Sequence, residues 1–157
     1  MRVFNGIDDF AQVVGEEIGV TEWRTITQED IDAFAKVTND HQWIHVDTER
    51  AASGPFGTTL VHGYLTLSLV SGFMFNTYRI DGLSMGVNYG SNKVRYPAPV
   101  LVGSRVRGRV KLVSVERQDS WAQSTVQVTV EQELNGEAKK PGCVAEVVSR
   151  LYEAPAA

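Results

Sequence analysis

The chain predicts an α+β fold in which a curved antiparallel sheet wraps one long apolar helix. Three observations point there. Short polar helices fill the first forty residues. One later stretch, from about Val61 to about Tyr78, is apolar almost all round, through Leu65, Leu67, Leu69, Val70, Phe73, Met74 and Phe75. A helix of that kind has to be buried on most sides. After Gly82 the period switches from helical to alternating and stays so nearly to the end.

The elements follow in order. Asp8 to Val14 reads as a short helix closed by Gly15. Thr27-Gln28-Glu29-Asp30 opens a second, with Thr27 as N-cap and Asp30 in the capping-box position. Ile31, Phe34, Ala35 and Thr38 then form its core-facing stripe, and Asn39 suits its left-handed end. Residues 40–58 read as irregular, broken by Gly54, Pro55 and Gly57. The long apolar helix comes next. Met85, Val87 and Tyr89 alternate, as do Val94 and Tyr96, then Val106, Gly108, Val110 and Leu112 against Arg105, Arg107, Arg109 and Lys111. Val126, Val128 and Val130 alternate against Gln127, Thr129 and Glu131. Asn135-Gly136 is a hairpin signal, and Val144 to Leu151 reads as a last strand. Long strands with one buried face, following one buried helix, give the hot-dog architecture; an open α+β sandwich is the plainer alternative.

The size agrees with one domain over residues 1–157, with 153–157 as a frayed tail. A chain of 17.3 kDa should fold to about 7,800 Å² of surface from about 25,000 Å², burying roughly 69%. Net charge of -4 argues against general nucleic-acid binding. One cysteine, Cys143, excludes an internal disulfide and any multi-cysteine zinc site. The N-terminus lacks a signal-peptide pattern, and the polar residues within 60–78 argue against a membrane span, so a cytoplasmic protein is expected.

Titratable groups crowd one segment, Asp40-His41-Gln42-Trp43-Ile44-His45-Val46-Asp47. On one continuous helix Asp40 and His45 would lie about 140° apart. At a helix end followed by irregular chain they can converge into a general acid–base pair, each tuning the other's proton affinity. A helix-ending Asp and a hydrogen-bonded loop His are the plainer reading. A metal set could also be drawn from Asp40, His41, His45 and Asp47, with His62 as a further donor, but no zinc or iron spacing is present. Thr58-Thr59-Leu60-Val61-His62-Gly63 starts the long helix, where free N–H groups and the helix dipole favour a developing oxyanion. Ser71, two turns on, needs a hydrogen-bond partner if buried: its own helix carbonyl or the Asp40–His45 segment. Asn88, Tyr89, Asn92, Lys93 and Arg95 could meet a ligand's polar end, or form a solvated strand face.

Asp40 and His45 after a short helix, the Val61-His62-Gly63 helix start and the segment Lys93 to Gly103 together resemble the MaoC-like (R)-specific enoyl-CoA hydratases and dehydratases over nearly the whole chain. The Asp-His-Gln-Trp-Ile-His run is similar to a mycobacterial-type subgroup, in which Asn39 stands for the family's Gly and Trp43 for its Pro. The resemblance implies a single hot-dog domain that adds water reversibly to a trans-2-enoyl-CoA, giving an (R)-3-hydroxyacyl-CoA. It implies Asp40 and His45 as the catalytic pair, Gly63 as amide donor to the thioester oxygen, Gln42 as an amide beside the substrate, and Ser71 and Asn39 as supports. Water addition moves no electrons, so no cofactor and no metal are expected. The partners implied are an acyl-CoA thioester and a second copy of the chain. A long strand, at about 104–117 or 121–134, would supply the edge for that homodimer. Two alternatives remain: a silent acyl-binding hot-dog protein and a hot-dog thioesterase. The second lacks the usual carboxylate, because no Asp or Glu lies between Leu60 and Ile80.

Overall fold

The computed structural model describes residues 1–155. The N-terminal segment forms strand β1 (Arg2–Phe4), helix α1 (Gly6–Ala11), and strands β2 (Glu17–Val20) and β3 (Arg24–Thr25). Helix α2 (Gln28–Thr38) follows, then α3 (Trp43–Val46) and α4 (Thr48–Ala52). The central helix α5 (Gly63–Thr77) leads into β4 (Tyr78–Ile80). The long strands are β5 (Leu83–Arg95), β6 (Arg105–Arg117), β7 (Trp121–Leu134) and β8 (Glu137–Glu153).

The main sheet runs β2-β6-β7-β8-β5, with β3 also pairing to β6, all antiparallel. Its inner face presents Val106, Val110 and Leu112, Ala122, Val126, Val128 and Val130, and Cys143, Ala145 and Val147, all buried. They pack under α5 with Leu65, Val70 and Phe73. At Gly108 a side chain would collide with Phe73, so this glycine lets α5 lie directly on β6. The outer arginines of β6 are paired across the strands: Arg105 with Glu133, Arg107 with Glu131, Arg109 with Glu131 and Glu17. The β7–β8 turn holds Asn135 at φ 53° and Gly136 at φ 79°, as a tight hairpin with two left-handed residues requires.

Five sequence expectations change. Residues 40–58 contain α3 and α4, each too short to show a hydrophobic period. The strands β1 to β4 have no alternation signal either, and β1 pairs parallel to β4. Helix α5 is not covered all round: Tyr64, Ser68, Ser71, Gly72 and Phe75 form an exposed stripe at helical spacing. Glu153 belongs to β8 and Ala154 N–H bonds the Gly82 carbonyl, so the tail is tied down that far; Ala156 and Ala157 lie outside the described residues. The fifth concerns the free edge. β6 and β7 are both paired on two sides; the sheet ends in the short β2 on one side and in the long β5 on the other, and β5 is exposed along most of both its faces.

Candidate active site

The site begins with the end of α2. The predicted capping box is present, with Thr27 Oγ1 accepting from Asp30 N–H and Asp30 accepting from Thr27 N–H. Asn39 closes the helix at φ 59° and ψ 23°. That left-handed residue turns the chain sharply, and Asn tolerates it better than most residues. Asp40 comes next, its side chain half-exposed. Gln42 then opens α3, where its carbonyl accepts from His45 N–H at 2.9 Å. One short helical turn therefore separates Asp40 from His45, and the pair converges as a break in the helix allows.

His45 is buried and its Nδ1 lies 2.7 Å from the Leu60 carbonyl. A carbonyl only accepts, so Nδ1 carries the hydrogen and Nε2 is left with a lone pair. Burial pushes the imidazole below its ordinary value of 6.5; the Leu60 carbonyl pulls the other way, His62 lowers it further and Asp40 raises it. His62 stacks on His45 with ring centres 3.8 Å apart and a 23° angle between planes. Its Nε2 donates to the Asp40 carbonyl at 3.0 Å.

A carboxylate oxygen of Asp40 and one nitrogen from each of His45 and His62 lie within 4.8 Å of one another. The stacking argues against an ion there. Lone pairs of nearly parallel rings 3.8 Å apart point side by side, and a zinc ion needs nitrogens converging at about 2.1 Å. Of the other donors weighed, Asp47 instead caps α4, accepting from Arg50 N–H at 3.0 Å. His41 is exposed.

Gly63 is the first residue of α5, and the first bond beyond it joins Thr66 N–H to the His62 carbonyl. Its own N–H thus belongs to the free set at the helix start. The Tyr96 ring passes 3.4 Å from where a β-carbon would be, so a larger residue would crowd both groups. Burial raises the Tyr96 phenol above its ordinary value.

Sequence reading missed the brace behind this pair. Gln28 donates to the His45 carbonyl and to Asp32 Oδ1, both at 2.8 Å, and accepts from Thr59 Oγ1 at 2.6 Å. One amide thus ties α2, α3 and the strap before α5. Its only sequence signal is its place after an N-cap. Trp43 faces elsewhere: it packs on Arg50 and beside Gly54, building the α3–α4 corner.

Two expected site residues lie apart from the pair. The Gln42 side chain is exposed, and its role here is the main-chain turn. Ser71 lies eight residues, about 12 Å of helix, beyond Gly63. It lines a cleft of about 740 Å³ with Leu67, Met74, Phe75, Asn88 and Val147. The cleft walls are mainly apolar, and a few polar groups (Ser68, Ser71, Asn88) enter it.

The MaoC like domain model matches residues 9–136. The chain belongs to this family. It is 52% identical over 151 residues to the 3-hydroxyacyl-thioester dehydratase Z of Mycobacterium tuberculosis, covering 96% of this chain and 98% of that protein. It is 48% identical to the nodulation protein N of Rhizobium leguminosarum, over 78% of each chain, and 34% identical to the 3-hydroxybutyryl-CoA dehydratase of Methylorubrum extorquens, again over 78% of each. Among solved structures, an Archaeoglobus protein called a monoamine oxidase regulatory protein superposes with a TM-score of 0.77 at 24% identity, over 98% of both chains. At that identity the likeness concerns the hot-dog fold alone. Among the described residues no helix is long and apolar enough to cross a membrane.

Proposed function

We propose that the chain is an (R)-specific hydro-lyase, adding water reversibly to a trans-2-enoyl-CoA in the cytoplasm, with Asp40 and His45 as its catalytic pair. The observation that carries this reading is the His45 ring beside the Asp40 carboxylate at the start of α5, its Nδ1 bound to Leu60 so that Nε2 keeps a lone pair. Two acceptors that close can hold one water between them.

In hydration, the water oxygen bonds the β-carbon while one of the pair removes its proton. The π electrons move toward the thioester, whose oxygen gains charge. The Gly63 N–H and the helix terminus stabilise that charge. A proton then reaches the α-carbon on the same face, so the proton lost by water is matched by the proton gained by carbon. Dehydration of the (R)-3-hydroxyacyl thioester is the reverse. The dehydratase names of two relatives support this reading. Loss of enoyl absorbance when purified protein meets crotonyl-CoA, then longer enoyl-CoAs, tests it. No loss with any chain length would overturn it.

We also infer that the working form is a two-fold homodimer joined along β5. The long edge at β5, exposed on both faces, shares a cleft with Ser68, Ser71 and Phe75 of the exposed α5 stripe. The single chain exposes 8839 Å², above the roughly 7,800 Å² expected for its mass. Pairing two β5 strands antiparallel sets the two α5 helices antiparallel as well. The N-terminal end of one, with Asp40, His45 and Gly63, then faces the cleft half of the other. Light scattering should give about twice the chain mass across a dilution series. An active species at the single-chain mass throughout would overturn the assembly.

A further inference from the structure

His62 is the most deeply buried titratable group beside the pair, and the hydration chemistry does not itself require it. We propose that His62 is a positioning residue: its ring backs the His45 imidazole, and its Nε2–H anchors the main chain of Asp40. The proposal rests on the hydratase reading for its kinetic consequence, and on geometry for the rest.

The tautomer comes first. The Asp40 carbonyl accepts from Nε2 at 3.0 Å, so Nε2 carries the hydrogen. Nδ1 is buried and has no partner among the described residues. The ring is therefore held through Nε2 alone.

Orientation follows. Phe34 of α2 lies on the ring of His62 at 5.1 Å, and His45 at 3.8 Å. Held between them, His62 cannot swing. His45 is in turn fixed at one atom by the Leu60 carbonyl and across its ring plane by His62. One bond and one packed plane leave a flat ring a single orientation, beside Asp40.

Asp40 is held differently. Its carbonyl is bound, but its Oδ2 lies 4.0 Å from His62 Nε2, too far for a hydrogen bond. The main chain is anchored and the carboxylate stays available to water. The groups facing the two rings are Asp40 from the turn after α2 and Phe34 from α2, and the Tyr96 ring lies against Gly63. Asp40 favours a proton on His45, whereas burial and His62 oppose it.

Two variants separate the two contacts. His62→Gln keeps an N–H able to reach the Asp40 carbonyl and loses the ring. His62→Phe keeps a ring and loses the donor. Each is compared with the native chain by thermal melting, by kcat and KM on crotonyl-CoA against pH, and by nitrogen NMR titration of the His45 ring without substrate. In His62→Gln, the His45 titration and the acid limb of the rate profile should both move to higher pH. In His62→Phe, which keeps the covering ring and so the burial that is the largest influence, the titration should move less. Both should lose kcat by about 10- to 100-fold at unchanged KM, the scale of a small misplacement of reacting groups. A folded His62→Gln with native kcat and an unmoved His45 titration would overturn the proposal, as would variants that only melt earlier. If the native chain hydrates no enoyl thioester, the hydratase reading falls. The NMR titration, which needs no turnover, still decides whether His62 governs His45.

Discussion

The two ends of α5 are built on opposite plans. At its start, the polar groups are packed and mostly paired: His45 to Leu60, His62 to Asp40, Thr59 to Gln28, with both rings buried. In its second half, Ser71, Gly72 and Phe75 face outward, beside a cleft that opens to the free edge of β5. On the function proposed above, one chain would complete the chemical half of a site and leave the acyl half uncovered. Precision is needed where protons move, because small misplacements there are costly. An apolar tail asks only for a greasy wall, and a second copy can supply it.

The largest effect should come from the closed end. Asp40→Asn and His45→Gln should each lower the hydration rate about 10²- to 10⁴-fold, the range for a positioned acid or base. Neither change alters the cleft, so affinity for a long-chain product should stay near native in both. Steady-state rates and product-binding isotherms on the two purified variants check this. Near-native turnover by either folded variant would sink the roles assigned to the pair.

A mixing experiment asks whether the two ends serve the same site across the two-fold. Ser71→Trp should fill the cleft without touching the pair, and should be inactive on long-chain substrates as a homodimer. Asp40→Asn is inactive for the opposite reason. Co-expressed, half the dimers would be mixed, and each mixed dimer would hold one site free of both lesions. Activity should return to about a quarter of native. If pair and cleft of the same chain work together, every site in a mixed dimer carries one lesion and nothing returns.

The closed end was the more legible in sequence. Asp40, His45 and Gly63 lie close together along the chain, and the capping box with Asn39 fixes where α2 must stop. Spacing could not separate a working pair from a helix-ending Asp and a bound loop His. What spacing does not show is the long-range Leu60 bond, fifteen residues from His45, which fixes the ring and leaves no trace in periodicity. Gln28 was illegible for the same reason, since its partners sit seventeen and thirty-one residues away. At the open end the apolar pattern of α5 was misleading. It reads as complete burial, and among the described residues no segment covers the stripe from Tyr64 to Phe75. The long strands alternate clearly, but alternation marks faces and not neighbours. The edge therefore fell to β5 instead of β6 or β7.

The smallest expected effect separates the ends by pH. Burial, the largest influence, holds His45 below its ordinary 6.5. The unfolded chain therefore binds this proton at a higher pH than the folded one. Between the two values the unfolded state carries more protons, so stability falls as pH drops below 6.5 and levels once folded His45 is protonated too. The side chains lining the cleft on α5 (Leu67, Ser68, Val70, Ser71, Met74 and Phe75) carry no titratable group in that range. Urea midpoints at several values from about pH 7.5 to pH 5, for the native chain, His45→Gln and Ser71→Trp, isolate the contribution. Carboxylates elsewhere titrate alike in all three and cancel. His45→Gln should lose part of the acid-side slope, while Ser71→Trp keeps it in full. An unchanged slope in His45→Gln would mean that His45 keeps its ordinary proton affinity in the folded chain, and that burial at the start of α5 does not hold it neutral.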